Sequence, residues 1–191
     1  MSVVTVEERG LVSIIAINRP KKLNAINKQA AIDLQSAFAV FDCSVQRVAI
    51  LRGAGGRAFS AVADITDLPK LWRCVPSVGI ATEKPIIAAV SGWCIGGGPV
   101  IAMVCGLLVA VEGAKFSYPE GKVGITGGII AGLAARVPHK IAMELMLLGE
   151  PIMALRAYEV DLVSCRTAAS STKPSRWPTR LSTSPRWRSP R

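Results

Sequence analysis

The sequence predicts an α/β fold, and three observations carry that expectation. β-rich runs are followed by glycine-rich turns and then by helical segments, and this unit recurs along the chain. Half of the 191 residues are apolar and 19% are charged, enough for one domain with a sizeable core. The longest uncharged stretch, the 27 residues between Lys84 and Glu112, is broken in its middle by Gly96-Gly97-Gly98-Pro99. Such a break suits short buried strands and helices and not one membrane-spanning helix.

In chain order, residues 3–8 and 11–18 are β-rich runs separated by Arg9-Gly10, the pattern of a hairpin. Ala30, Leu34, Phe38 and Phe41 recur about one helical turn apart and predict an amphipathic helix over 27–42. Residues 45–51 read as a strand, and 53–60 as a glycine-rich turn leading into a loop that holds Pro69 and Pro76. The next strand is 85–90, followed by a loop over 91–98 and a helix opening at Pro99, a favoured first-turn residue. A strand near 107–111 and a glycine-rich turn around 124–128 precede a helix over 129–149, which Pro138 splits.

The net charge of +10 would ordinarily suggest a polyanionic partner. Seven of the 23 basic residues and none of the 13 acidic ones fall after Val163, so the excess belongs largely to the last 28 residues. The five cysteines are odd in number and scattered, without a CxxC pair, and read as reduced, mostly buried thiols with no metal site. His139, after Pro138, reads as a packed or solvent-facing imidazole. The first ten residues lack the pattern of a secretory signal, and the expectation is a cytoplasmic enzyme.

Three segments hold the candidate chemistry: 59–65, 92–100 and 116–125. A glycine-rich turn feeding a helix presents N–H groups and the positive end of a helix dipole, which suits an oxyanion or a phosphate. Alone, a glycine triplet before a helix more often marks tight packing, and Glu120 alone would read as a solvated turn residue. Together and in this order, RPKKLNAI (19–26), RAFSAVADI (57–65), KPIIAAVSGWCIGGG (84–98), AKFSYPEGKVGI (114–125) and the stretch ending in AYEVDLV (157–163) resemble the enoyl-CoA hydratase/isomerase (crotonase) superfamily. The resemblance covers residues 3–163. It implies a spiral of ββα repeats, an acyl-CoA substrate with no separate cofactor, a role in fatty acid metabolism, and a homo-oligomer, either a trimer or a dimer of trimers. Neither nucleic acid nor membrane is implied as a partner.

By the same resemblance, the amides of Ala63 and Gly97 form an oxyanion hole for the thioester carbonyl. Glu120 is the catalytic acid/base. Ala61, Asp64 and Ile65 lie along the acyl-CoA channel, and Ala25 lies near the CoA arm. The chain departs from the family pattern at Val100, where hydratases carry a second glutamate, which favours proton transfer between carbons over hydration. Val62 stands in place of a glycine before Ala63, Gly106 in place of an aspartate, and Asp161 in place of a glycine, and the loop over 65–83 is short.

Residues 164–191 lack the family's closing helices, and they read as a basic Ser/Pro/Arg-rich disordered tail, leaving the C-terminal helical region incomplete. Back-translation of 170–180 with G/C-ending codons, read one nucleotide earlier, gives the helix-forming ELDEAVALADA, so a frameshift near Val163 is the expected origin. The alternative function is then an inactive, truncated remnant.

Overall fold

Two sheets of unequal size organise the fold in the computed structural model, which describes residues 2–61, 63–124 and 128–167. The larger opens with the expected hairpin: β1 (Val4–Arg9) runs antiparallel to β2 (Val12–Ile17), with Val4 opposite Ile17. Parallel strands follow across the sheet: β3 (Val48–Gly53) on β2, β5 (Ile86–Val90) on β3, β7 (Leu107–Val111) on β5 and β10 (Cys165–Thr167) on β7. β2, β3 and β5 are buried at nearly every position, as strands covered on both faces must be. They read as continuous apolar runs for that reason.

The smaller sheet joins the parallel strands β4 (Ala58–Ala61), β6 (Trp93–Ile95) and β8 (Lys115–Ser117), with β9 (Ile152–Met153) antiparallel on β8. Three times the chain passes from a large-sheet strand into a small-sheet strand, β3 to β4, β5 to β6 and β7 to β8, before turning back. This is the ββα spiral that the family resemblance implies.

The first helix, α1 (Lys28–Cys43), starts where Asn27 caps it by accepting a hydrogen bond from the Ala30 amide at 3.0 Å. Its buried face contains the four expected residues, with Ala31 added. α2 (Gly97–Val104) starts two residues before Pro99, because Gly96 turns the chain at φ 57°, ψ −113°, a conformation open to glycine alone. Pro99 fits the first turn, where its missing N–H is one of the donors without a helical partner. Pro138 divides the expected long helix into a 3-10 segment, Gly128–Ala135, and α3 (His139–Leu148). His139 is exposed at its start. A short α4 (Ala154–Glu159) follows.

The uncharged stretch is divided among β5, β6, α2 and β7, and no helix of the described residues is long and apolar enough to cross a membrane. Cys74, Cys94 and Cys105 are buried free thiols, whereas Cys43 is exposed. Burial pushes the Cys74 and Cys105 thiols up to about 12.

The large sheet also moves the expected domain boundary. Ser164 donates from its amide to Leu108 O at 2.8 Å, its Oγ accepts from the Leu108 amide at 3.2 Å, and β10 aligns Cys165 to Thr167 with Val109 to Val111. Residues 164–167 therefore belong to the sheet and not to the tail assigned to 164–191. Residues 168–191, with the frameshift reading of them, lie outside the described residues, as does Val62. Asp161 adopts φ 62°, the left-handed conformation that explains why glycine suits this position.

Candidate functional site

The small sheet sets three chain segments side by side. Ala61 is in register with Ile95, and Ile95 with Ser117, so β4, β6 and β8 finish level with one another. Neighbouring strands in a sheet lie about 4.8 Å apart. Two residues beyond those ends come Ala63 and Gly97, and three beyond the third comes Glu120. The residues emerge together at the carboxyl ends of parallel strands, the usual place for a ligand crevice in α/β proteins.

Gly97 is the first residue of α2, and its approach is fixed by the Gly96 amide, which donates to Ser117 O at 2.9 Å. The triplet is tight where packing demands it: a Cβ on Gly98 would lie 2.7 Å from Ser60 O, so only glycine lets the helix sit against β4. A Cβ on Gly97 would meet only Leu71 Cδ1, at 3.8 Å. The 3-10 turn Leu71–Cys74 thus reaches over the start of the helix.

Ala63 forms a parallel bridge with Ile26, and the next amide, that of Asp64, donates to Ile26 O at 2.8 Å.

Glu120 sits in the 3-10 turn Pro119–Val123. The turn is held against α3, since a Cβ on Gly121 would collide with Met146 O. The residue is half-buried, and its Oε2 is enclosed without a hydrogen-bond partner among the described residues. Desolvation holds its carboxyl above the ordinary carboxylate range, against the opposing pull of its own backbone N–H. A carboxylate oxygen kept from water and unpaired is poised to meet a proton.

The remaining expected residues divide. Ala61 ends β4 and donates its amide to Leu23 O at 3.0 Å. Ala25 is buried beside it, and its carbonyl accepts from Arg19 Nη1 at 2.5 Å. The Asp64 carboxylate is engaged within the chain: Oδ2 accepts from Arg19 Nη2 at 2.8 Å, and Oδ1 accepts from Thr66 Oγ1 at 2.6 Å and from the Thr66 amide at 3.2 Å. The Thr66 hydroxyl, then Arg19 and the Thr66 amide, hold its carboxyl down at about 2. Ile65 is 84% exposed. Val100 is buried in α2, where no carboxyl group faces the site from that position.

Asn24 was not singled out by the sequence reading. Wholly buried at φ 57°, it accepts from the Arg19 amide and donates to Ala54 O and Ala58 O, while its carbonyl accepts from Ser60 Oγ. It ties the 19–26 segment to β4. A polar residue between Leu23 and Ala25-Ile26 was the available signal. No group of three or more potential metal ligands occurs among the described residues.

The sequence profile for enoyl-CoA hydratase/isomerase matches residues 7–171. The chain belongs to this family. Among curated relatives, the (E)-benzylidenesuccinyl-CoA hydratase of Thauera aromatica is 33% identical over 174 residues, covering 84% of this chain and 68% of its own length. The crotonyl-CoA hydratase of Syntrophomonas wolfei is 33% identical over 181 residues, covering 84% and 67%. The crystal structure of enoyl-CoA hydratase from Mycobacterium tuberculosis H37Rv superposes with a TM-score of 0.82 at 35% identity, covering 90% of this chain and 71% of that one. The chain spans about two thirds of the length of its curated relatives, 62% in the case of a Dictyostelium discoideum enoyl-CoA hydratase relative. The enoyl-CoA hydratase/isomerase fold accounts for the meeting of the three strand ends.

Proposed function

We propose that this family member processes an acyl-CoA thioester through an enolate, with the Ala63 and Gly97 amides holding the carbonyl oxygen and Glu120 carrying the proton. The observation that carries the reading is the enclosed Glu120 Oε2, without a partner among the described residues, on the turn that follows β8, whose end is in register with those of β4 and β6. In an isomerase cycle, Glu120 takes a proton from C2 of a 3-enoyl thioester, and the C–H electron pair moves onto the carbonyl oxygen. The resulting dienolate is stabilised by the two amides and the positive end of α2, at about 3–4 kcal/mol per donor. Return of the proton at C4 leaves the 2-enoyl thioester. No redox change occurs, and coenzyme A serves only as part of the substrate.

Ala25, Ala61, Asp64 and Ile65 would border the acyl-CoA channel, Asp64 through its backbone, since its carboxylate is engaged elsewhere. Exposed Ile65, Leu68 and Trp72 on the adjoining loop supply apolar surface for an acyl group. Val100 supports isomerisation, because hydration is helped by a second carboxylate to activate water. Hydration is the second reading, favoured by the names of the relatives. An inactive remnant is not favoured, since the family match continues to residue 171. We place the protein in the cytoplasm, acting in fatty acid metabolism as a homo-oligomer.

Turnover of 3-enoyl-CoA and 2-enoyl-CoA by the full chain separates these readings. The expected result is double-bond migration, with hydration at least tenfold slower, and a Glu120→Gln rate reduced by about 10²–10⁴. Unchanged turnover in Glu120→Gln removes this residue from the mechanism.

A further inference from the structure

We infer that Arg19 is a positioning residue for the Ala63 amide, acting through Asp64 and Thr66. The inference rests on the oxyanion-hole reading and adds to it the group that aims one of the two donors. The Arg19 guanidinium reaches two chain segments at once, giving Nη1 to Ala25 O at 2.5 Å and Nη2 to Asp64 Oδ2 at 2.8 Å. The pair is largely shielded, with side chains 16% and 10% exposed. The other Asp64 oxygen is occupied by the Thr66 hydroxyl and amide, and the Asp67 amide donates to Asp64 O at 3.0 Å.

The residue after Ala63 is therefore clamped through its side chain, its amide to Ile26 O and its carbonyl. The peptide that joins Ala63 to Asp64 cannot rotate without breaking this set, so Ala63 is held from its carboxyl side, where it also bridges Ile26. Arg19 is itself held by Asn24, whose Oδ1 accepts from the Arg19 amide at 2.9 Å. A planar guanidinium can bond to a carbonyl and a carboxylate together, whereas an ammonium group is a compact point charge. The sequence supplies a reason for such a clamp: Val62 replaces the glycine that would give the chain free choice of conformation before Ala63.

The test compares the full chain with Arg19→Met and Thr66→Val. For each protein, three quantities are measured: kcat and KM with an enoyl-CoA, the carbonyl stretching frequency of bound butyryl-CoA, and hydrogen exchange of the peptide covering 61–66. Arg19→Met is expected to lower kcat by about 100-fold, the effect of a misplacement near 1 Å, with KM within threefold. It should also return the carbonyl frequency toward that of free thioester and speed exchange in 61–66. Thr66→Val, a milder change, should move all three in the same direction by about tenfold or less in kcat. If the unsubstituted protein does not lower the carbonyl frequency, the oxyanion-hole reading fails and takes the proposal with it. A lowered frequency that persists unchanged in both variants overturns the proposal alone, as does a fall confined to KM.

Discussion

Glu120 has one enclosed oxygen with no hydrogen-bond partner among the described residues, so the folded chain disfavours its charge. A raised carboxyl has a definite linkage sign. Below the ordinary value near 4.5, the group is protonated in both folded and unfolded states and costs nothing. As pH rises from there through the raised folded value, the unfolded chain ionises first and the fold loses stability. Glu120→Gln removes that loss. Thermal melting should therefore show the variant above the parent at pH 7 and level with it at pH 4. A variant that melts lower at both pH values would mean that the carboxylate is paired in solution. For the proposed reaction the same group must start ionised, so kcat/KM of the parent should fall on the acid side through a single ionisation above the usual glutamate range. Asp64 behaves oppositely. Held near 2 by Thr66 and Arg19, it stabilises the fold above its ordinary value near 3.8 and is lost only as pH falls toward 2, so the acid limb of activity belongs to Glu120.

At the scale of elements, the glycine triplet separates close packing from proposed chemistry. Gly98→Ala would put a methyl group 2.7 Å from Ser60 O, and main chain on both sides cannot yield cheaply. Calorimetry should register a loss of about 1–3 kcal/mol, with a fall in turnover as α2 lifts from β4. Gly97→Ala meets only Leu71 Cδ1 at 3.8 Å, an ordinary contact, and should melt within about 0.5 kcal/mol of the parent. Equal destabilisation by the two would show that α2 is seated differently. The same elements mark the limit of what the sequence allows to be read. The long buried strands were legible because covering on both faces leaves continuous apolar runs, and α1 was legible because its apolar residues repeat at helical spacing. β4, β6 and β8 have three or four residues each, too few for a period to develop, and were read as turns and loops. The site is built on these three strands. Ala63, Gly97 and Glu120 could be named from motif order, whereas their common sheet edge could not. Arg19, Asn24 and Thr66 left no periodic trace, because each acts through hydrogen bonds to partners distant in sequence.

Among the described residues, the stretch from α3 to α4 carries a run of exposed apolar side chains. Leu147, Leu148, Met153, Leu155 and Tyr158 are all exposed, within one stretch running from the end of α3 through β9 into α4. On α4, Ala154 and Ala157 are buried while Leu155 and Tyr158, three residues apart, share an outward face. Exposed apolar surface of this kind commonly marks association. The proposed homo-oligomer, a trimer or a dimer of trimers, would have this face as a contact, which predicts that the full chain sediments at three or six times the single-chain mass at micromolar concentration with a melting temperature that rises with protein concentration. Replacing Leu155 and Tyr158 together by lysine should shift sedimentation to the single-chain mass and remove the concentration dependence. The substitution changes exposed side chains of α4 and none of the proposed site residues, so thioester binding by the dissociated chain should persist if the site is complete within one protomer. A parent protein that already sediments as a single chain, with a melting temperature independent of concentration, would assign this apolar face to something other than self-association.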